Sequence, residues 1–467
     1  MTRLYHKSAT TIWYNNIMQL AHGLKISFAT FGCRLNQAEA LDIQAHLEAA
    51  GHTVIPLPQG SDPSMVSSQG SDPITPQGSD PSMEAIPDWI IIRGCSVTAK
   101  AQHDCEKFIS RLRLRFPKAK IVITGCLPNA TPLPISLHIR GQTLGGTLGS
   151  DPSGTLGSDP VPKTTSRAYL KIQDGCSGRC SFCIVPHYRG QPVSIPLEDI
   201  VGRAYAFIDA GYREIVVTGC NLALYKYKGK NLTDILDALA HISPQGSDPI
   251  ATQGSDPIAP QGSDPLRWRV RLGSLEPGFI DDRIIDVFAE NCNICRFMHL
   301  SLQSGADKIL NAMNRPYRIA DVGRFIENTF QRLGESITLG ADVITGFPGE
   351  TNEDFEETRT FLAKYRFTNV HVFPYSERPG TPAATMMGSV PIEVRRERAK
   401  IVMEEALARR KKFAESFSGR SVEVCVERGG DHGWTSEYLP VKLKTQRPRR
   451  SLVQVDISRA DEGVLFE

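Results

Sequence analysis

The stretch Asp174-Gly-Cys-Ser-Gly-Arg-Cys-Ser-Phe-Cys-Ile184 carries three cysteines in a Cys-x3-Cys-x2-Cys pattern. A structural zinc ion is usually held by four protein ligands, whereas a 4Fe-4S cluster held by three thiolates keeps one iron free for another ligand. Three cysteines without a fourth in the run therefore indicate an open cluster on Cys176, Cys180 and Cys183. The open iron predicts that a small ligand binds at the same place.

The composition is that of an ordinary globular protein with several domains. The chain has 467 residues, 40% of them hydrophobic, and 11 cysteines. An odd number of cysteines, without a recognisable secretory leader, predicts a reducing, cytoplasmic environment in which thiols bind metals rather than form disulfides. No apolar run approaches the ~20 residues of a membrane-spanning helix, so no membrane insertion is expected.

Eight copies of Gly-Ser-Asp-Pro lie in three separate places, at residues 60–81, 149–160 and 246–265. Segments rich in these residues cannot build a hydrophobic core, and a long surface loop costs little closure entropy. We interpret the copies as insertions that loops tolerate and that carry no chemistry. The alternative is a tract that binds a partner.

Between the first strand and Cys126, apolar strands alternate with amphipathic helices, which predicts a small open α/β sheet. The predicted strands lie at 25–30, near 53, at 89–92 and at 120–124, and the helices at 38–50 and 101–115. Cys33, Cys95 and Cys126 each follow a different strand. Because ligands of such sheets gather beyond the carboxyl ends of the strands, we expect these cysteines to meet in space. The alternative is that each is a small buried hydrophobic residue.

Residues 167–376 contain six strand and helix units, which predict a partial (βα)6 barrel. The predicted strands lie at 169–172, 214–218, 270–273, 298–302, 337–344 and 369–373. The trio of Cys176, Cys180 and Cys183 follows the first strand, on the barrel face where βα loops place chemistry. The third insertion lies between a helix and the next strand, on the opposite face.

A charged helix at about 391–417 leads into strand alternation at 421–427, 438–444 and 452–457, which predicts a small C-terminal β-barrel. The net charge is only +2, but residues 391–450 hold 15 Lys or Arg against 9 Asp or Glu. Basic side chains near Trp434 and Tyr438 suit nucleic-acid binding through phosphate contacts and base stacking. The alternative is a solvated helix face without a partner.

Several motifs make nearly the whole chain resemble the methylthiotransferase family of radical S-adenosylmethionine (SAM) enzymes. Thr30-Phe-Gly-Cys-Arg-Leu-Asn-Gln-Ala-Glu39 resembles the opening motif of the branch that modifies tRNA threonylcarbamoyladenosine. The segment that contains Gly433-Trp-Thr-Ser-Glu-Tyr438 is similar to a TRAM domain, an RNA-binding barrel. Arg93-Gly94 departs from the family, which usually has Asn-Thr there. Further matching motifs are Cys95-Ser-Val-Thr98, Thr124-Gly-Cys126, Cys183-Ile-Val-Pro186, Gln303-Ser-Gly305, Met313-Asn-Arg315, Gly346-Phe-Pro-Gly-Glu350 and Phe373-Pro-Tyr-Ser376.

The resemblance implies the domains, the cofactors and the residues that bind them. The domains are an N-terminal methylthiotransferase domain at 24–140, a radical SAM barrel at 162–390, a linker helix at 391–417 and a TRAM-like domain at 418–467. Two 4Fe-4S clusters are implied, one on the barrel trio and an auxiliary one on Cys33, Cys95 and Cys126. SAM is the implied cofactor, and no catalytic side chain is assigned. From their positions after or within the barrel strands, contacts to SAM are expected at Gly219, Ser274, Glu276, Gln303 and Asp342, and the alternative for each is ordinary packing in the barrel core or in a turn.

The implied activity is conversion of N6-threonylcarbamoyladenosine at tRNA position 37 to its 2-methylthio derivative. Carbon 2 of adenine bears an unactivated hydrogen, which calls for radical chemistry from a cofactor rather than for a side-chain base. The implied partners are tRNA and an electron donor such as a flavodoxin or ferredoxin. Three alternatives stay open: an enzyme that methylthiolates a ribosomal-protein aspartate, a non-enzymatic zinc and RNA-binding protein, and a relic damaged by the insertions.

Overall fold

The computed structural model describes residues 23–57, 86–127, 165–242 and 267–467. All three groups of Gly-Ser-Asp-Pro copies lie outside these ranges. The described residues form two parallel α/β units followed by a mostly antiparallel sheet, so the predicted α/β class is confirmed. Within the described ranges, we find no helix that combines the length and the apolar surface needed to cross a membrane.

The N-terminal unit is a four-stranded parallel sheet in the order β2-β1-β3-β4. Helix α2 begins after Thr98, whose side chain accepts a hydrogen bond from the amide of Ala101 and so satisfies a backbone donor of the first turn. This strand order puts the carboxyl ends of β1, β3 and β4 side by side at one edge. The elements are β1 (Lys25–Thr30), α1 (Arg34–Ala49), β2 (Thr53–Val54), β3 (Trp89–Gly94), α2 (Ala99–Arg115) and β4 (Lys120–Gly125).

Helix α1 begins four residues before its predicted start at Ala38 and is buried on most sides. Its apolar face packs on the sheet, where Ile43 and Leu47 join the core of β1 and β3. Its polar face meets the barrel, where the Nζ of Lys171 donates to Glu39 at 2.6 Å. The polar residues at the start of α1 interrupt the apolar period because they contact a second unit rather than solvent.

The central unit contains the six predicted parallel strands in sequential order. The third strand is broken at Gly273 into β8 and β9, each of which belongs to a different four-stranded sheet. The elements are β5 (Ala168–Asp174), α3 (Val185–Arg189), β6 (Val193–Ser194), α4 (Leu197–Asp209), β7 (Glu214–Gly219), α5 (Leu232–Ala240), β8 (Arg269–Leu272), β9 (Ser274–Leu275), α6 (Arg283–Glu290), β10 (Phe297–Gln303), α7 (Asp307–Ala312), α8 (Ile319–Leu333), β11 (Thr338–Thr345), α9 (Asn352–Lys364) and β12 (Phe367–Pro374).

The C-terminal unit follows the long helix α10 (Ile392–Glu415), which packs along β12. Its six-stranded sheet has the order β16-β13-β14-β15-β18-β17 and a separate hydrophobic core. Three of the six strands correspond to the predicted ones. The strands are β13 (Ser421–Val426), β14 (His432–Thr435), β15 (Pro440–Lys442), β16 (Leu452–Asp456), β17 (Arg459–Asp461) and β18 (Val464–Phe466).

The end of β14 and the turn after it dock on the amino-terminal ends of the barrel strands. Arg269 and Arg271 donate to the backbone oxygens of Trp434 and Thr435 at 2.7 and 2.8 Å. The ring of Tyr438 is buried and stacks on Phe297, with 4.8 Å between the ring centroids. The expectation that Tyr438 stacks on a nucleic-acid base is therefore wrong for this structure, because the barrel already covers the ring.

Candidate functional site

The loop after β5 brings the sulfurs of Cys176, Cys180 and Cys183 close together. The amide of Gly178 donates to the Sγ of Cys176 at 3.2 Å, and the amide of Cys183 donates to the carbonyl of Cys180 at 3.1 Å. A methyl group built on Gly178 would lie 3.1 Å from the Sγ of Cys176 and 3.8 Å from that of Cys180. Two of the three sulfurs thus flank one glycine, which is the convergence that a single cluster requires.

Arg315 connects the Cys180 sulfur to the predicted cofactor residue Glu276. Its Nη1 donates to the Sγ of Cys180 at 3.0 Å, and its Nη2 contacts a carboxylate oxygen of Glu276. The other carboxylate oxygen, Oε1, is buried without a hydrogen-bond partner. A buried unsatisfied acceptor is costly, so a donor from a bound ligand fits at this position. The amino group or the ribose of SAM would supply such a donor.

Asn221 holds a similar position beside Cys176, and it was not assigned from the sequence. Its backbone N–H donates to the Oε1 of Gln173 at 2.9 Å, and its side-chain Nδ2 approaches the Sγ of Cys176 at 3.9 Å. Its Oδ1 is a second buried acceptor without a partner. Two buried acceptors without partners, next to the cysteines of the barrel trio, fit a cofactor that carries several hydrogen-bond donors. The one available sequence signal was the position of Asn221 two residues after the end of β7.

Two thiols of the barrel trio, those of Cys180 and Cys183, are suited to bind metal rather than to ionise unaided. Burial raises the pKa of Cys183 to about 12, and the neighbouring cysteines add to the shift. Burial also raises the pKa of Cys180, although the guanidinium of Arg315 opposes that shift. Metal binding deprotonates cysteine ligands, so iron would supply the positive charge that these thiolates need. The donor set and the surroundings therefore fit a 4Fe-4S cluster.

The second trio meets at the predicted edge of the N-terminal sheet. Cys33 is the N-cap of α1, while Cys95 and Cys126 directly follow β3 and β4. Burial raises the pKa of Cys95 to about 12, and charge on Cys33 and Cys126 adds to it, so the three thiols share one electrostatic neighbourhood. Gly32 permits this approach, because a Cβ there would lie 2.9 Å from the Sγ of Cys95 and the residue has a φ of +95°.

Arg189, at the end of α3, joins the two trios. Its Nε–H donates to the Sγ of Cys126 at 3.1 Å, and its Nη1 donates to Asp174, two residues before Cys176, at 2.9 Å. Its other bonds go to α1, with 2.8 Å to the Oδ1 of Asn36 and 3.1 Å to Glu39. One guanidinium thus contacts the auxiliary trio and the loop of the barrel trio.

The cationic side chains of Lys171 and Arg93 lie near Arg189. Burial lowers the pKa of Lys171 to about 8, and that of Arg93 to about 9, where Arg189 adds to the shift. Arg93 contacts Glu39 and donates to the Oγ1 of Thr124 at 3.1 Å. Arg93, which departs from the family pattern, therefore binds β4 two residues before Cys126.

Cys220, directly after β7, lies in the same neighbourhood. Burial raises its pKa, and charges on Cys176 and Cys126 raise it further, whereas Arg189 opposes them. One cysteine of each trio thus contributes to the electrostatic surroundings of this thiol, in agreement with the link through Arg189. No role is predicted for Cys220 from the sequence, because nothing in its local pattern distinguishes it from a structural cysteine.

The remaining predicted cofactor residues take different positions. Gly219 ends β7 and packs against Gln173, and Ser274 is exposed at the start of β9. Gln303 ends β10 with a φ of +66°, a left-handed conformation that is uncommon outside glycine and that occurs often at ligand sites. Asp342 faces two histidines inside the barrel, at 3.0 Å from His299 and 3.3 Å from His371.

Replacing Arg189 with glutamine is expected to loosen α1 from the barrel. The variant loses charged hydrogen bonds to Glu39 and Asp174, although Lys171 still neutralises both carboxylates. We expect the opening free energy of α1 to fall by about 2 kcal/mol, measured by hydrogen–deuterium exchange. Arg324→Gln, which removes an exposed ion pair on α8, is the control. Unchanged exchange in α1 would refute the linking role of Arg189.

The chain matches the Radical SAM superfamily over residues 170–362. It is 31% identical to the Threonylcarbamoyladenosine tRNA methylthiotransferase MtaB of Chlamydia pneumoniae, covering 73% of this chain and 78% of that one. It is 29% identical to the MtaB protein of Thermotoga maritima, covering 86% of each chain. It is also 30% identical to the tRNA-2-methylthio-N(6)-dimethylallyladenosine synthase of Endomicrobium trichonymphae, covering 68% of this chain and 75% of the relative.

The barrel, its trio of Cys176, Cys180 and Cys183, and the superfamily match define a radical SAM enzyme, which uses a 4Fe-4S cluster and SAM. Identity with MtaB proteins extends over most of the chain, well beyond the barrel. The chain belongs to the methylthiotransferase family, in its MtaB-like branch. The family membership predicted from the motifs is thereby confirmed.

Proposed function

We propose that this enzyme converts N6-threonylcarbamoyladenosine at position 37 of tRNA to its 2-methylthio derivative. The observation that carries the proposal is the contact of Arg189 with both Cys126 and Asp174, because it draws two cysteine trios to one place. A methylthiotransferase needs one centre for radical generation and another for the sulfur. The names of the MtaB relatives support the choice of substrate.

Two 4Fe-4S clusters are part of this proposal. Cys176, Cys180 and Cys183 would hold one, and Cys33, Cys95 and Cys126 would hold the other. When bound, the clusters and SAM supply the electron, the carbon radical, the sulfur and the methyl group of the product. The guanidinium of Arg315 orients Cys180, and that of Arg189 orients Cys126, each through a hydrogen bond to sulfur.

SAM would bind beside the barrel trio. Glu276 would accept a hydrogen bond from the cofactor at its buried Oε1, which has no partner within the protein. Gln303, whose backbone has the left-handed conformation, would line the same cofactor site. Gly219 admits a close backbone approach because it lacks a side chain. Ser274 and Asp342 complete the proposed set, with Asp342 the member whose carboxylate already has other contacts.

The C-terminal unit would bind the tRNA through its phosphates. Lys442, at the end of β15, and Lys444 and Arg447, in the loop that follows, are exposed. Phosphate contacts position a nucleic acid without reading its sequence, so the barrel would still select the adenosine. The modified base must leave its stack to reach a buried site, as base-modifying enzymes generally require.

The remaining assignments follow from the same reading. We propose the domain division 24–140, 162–390, 391–417 and 418–467, a cytoplasmic location, and a flavodoxin or ferredoxin as electron donor. A reducing compartment keeps cluster thiols available.

The test is a comparison of tRNA nucleosides from cells with and without this gene. We expect the 2-methylthio derivative of threonylcarbamoyladenosine to vanish without the gene and to return when the gene is restored. If the nucleosides are unchanged while an aspartate of a ribosomal protein loses its methylthio group, the sister activity replaces the proposal. Zinc in place of iron in anaerobically purified protein would favour the non-enzymatic alternative.

A further inference from the structure

Two histidines and an aspartate meet inside the barrel, on strands that do not carry the cysteine trios. His299 lies on β10, Asp342 on β11 and His371 on β12. In the strand register, Asp342 is paired with His371, and His299 is paired with Gly340, which lies two residues before Asp342 on the same face of β11. Three neighbouring parallel strands therefore direct one side chain each to the same level of the lumen.

The distances among these side chains match those of metal ligands. The Nε2 of His299 lies 3.0 Å, and the Nδ1 of His371 lies 3.3 Å, from the Oδ1 of Asp342. All three ligand atoms lie within 4.8 Å of one another. Ligands of a tetrahedral ion with bonds of ~2.0–2.1 Å are about 3.3 Å apart, so one cation fits among them with small adjustments.

The Nε2 of His299 is a buried polar atom without a hydrogen bond. His299 is only 5% exposed, and its Nε2 makes no hydrogen bond to the nearby carboxylate despite the short distance. A buried ring nitrogen that lies close to a carboxylate without good hydrogen-bond geometry is suited to a cation held between the two groups. The imidazole also packs over Gly340, where a Cβ would lie 2.4 Å from its Nδ1, so the ring cannot easily turn away.

We propose that His299, Asp342 and His371 bind one divalent cation of the zinc or iron(II) class. Two imidazoles and one carboxylate suit these ions, whereas thiolates at the two cysteine trios select iron–sulfur clusters. Three protein ligands leave at least one position open. The side chains of His371 and Asp342 are 41% and 21% exposed, so solvent or a small ligand can reach the open position. Asp342 would bind the cation through the Oδ1 that faces both histidines, which leaves its other carboxylate oxygen for the SAM contact proposed above.

The experiment adds cobalt(II) to anaerobically reconstituted protein whose cysteine trios are already loaded with iron and sulfide. We expect one equivalent to bind, with the visible spectrum of nitrogen and oxygen ligands and without the strong thiolate charge-transfer band. His371→Ala and Asp342→Asn are each expected to weaken binding at least about tenfold. Because the side chain of His371 is partly exposed, that variant is the one expected to keep its fold.

His432→Ala is the matched control. His432 also contacts a carboxylate, with 2.7 Å between its Nδ1 and Asp431, but no third ligand is grouped with this pair among the described residues. Cobalt binding should be unchanged in this variant. Absence of binding to the wild-type protein, or equal binding by the wild type and His371→Ala, would overturn the proposal and leave a hydrogen-bonded His–Asp cluster. The cobalt spectrum does not depend on the tRNA substrate, so it stands apart from the proposed function.

Discussion

Replacing Cys176 with alanine is expected to reduce SAM cleavage by this enzyme to the detection limit. The loop after β5 offers three thiolates, and an open cluster needs all three. Hydrogen bonds within the loop, from Gly178 to Cys176 and from Cys183 to Cys180, hold the cysteines together. With two thiolates the open cluster is not retained, so no electron reaches the cofactor. The measurement is the yield of 5′-deoxyadenosine from dithionite-reduced protein in the absence of oxygen.

Cys33→Ala is the informative partner of that variant. It removes a thiol from the second trio, Cys33, Cys95 and Cys126, but leaves the barrel trio and the unpartnered acceptors of Glu276 and Asn221 in place. We expect it to keep forming 5′-deoxyadenosine while making no methylthiolated product. In each variant the iron content should fall from about eight to about four atoms per chain.

Cys292→Ala is the control for both variants, because Cys292 is exposed and belongs to neither trio. It should retain the iron content and both activities of the wild type. Wild-type 5′-deoxyadenosine yield from Cys176→Ala would contradict the assignment of the barrel trio. An unchanged iron content in Cys33→Ala would instead show that the auxiliary trio holds no cluster, as expected of a relic damaged by insertions.

The parts of the site that the sequence predicts well are those encoded locally. The Cys176 trio lies within eight residues of chain, so its convergence needs only one loop. Cys33 and its two partners are distant in sequence, yet each follows a parallel strand, and strand order alone brings them to one edge. The strands themselves are apolar runs, and β7 at Glu214–Gly219 differs from its prediction by one residue.

The parts that sequence reasoning misses are contacts between units. The start of α1 is polar because Asn36 and Glu39 bond to Arg189 of the barrel, and this partner lies 150 residues away. Tyr438 in a basic segment resembles a surface aromatic, but Phe297 covers it. Likewise Asp342 alone signalled an inward side chain, while its grouping with the two histidines depends on strand register.

Replacing Glu214 with glutamine is expected to cause the largest loss of stability among single changes at the base of the barrel. The carboxylate is fully buried and accepts from the Nε atoms of Arg269 and Arg271 at 2.7 Å each. Both guanidinium groups also donate to the end of β14, and that of Arg271 donates to Ser436 in the turn after it, so they cannot move into solvent when Glu214 is lost. Removing one partner of a buried ion pair costs about 3–5 kcal/mol, because the remaining charges stay desolvated.

The pH dependence has a defined sign. Burial alone would raise the pKa of Glu214, but Arg271 and Arg269 outweigh burial and hold it well below its ordinary value of 4.5. A lowered pKa in the folded state stabilises the protein above pH 4.5, and this stabilisation is lost as the pH falls below that value. The stability of Glu214→Gln should therefore depend less on pH in this acidic range than that of the wild type.

Urea denaturation at neutral pH, with hydrogen–deuterium exchange of the turn at Thr435–Tyr438, measures the effect of Glu214→Gln. We expect an earlier unfolding transition and faster exchange in that turn, because the arginines that hold it lose their shared carboxylate. Glu327→Gln, which removes an exposed carboxylate paired with Lys364, serves as the control and should leave both measurements unchanged. Equal transitions for Glu214→Gln and the control would show that docking of the C-terminal unit does not depend on this buried charge cluster.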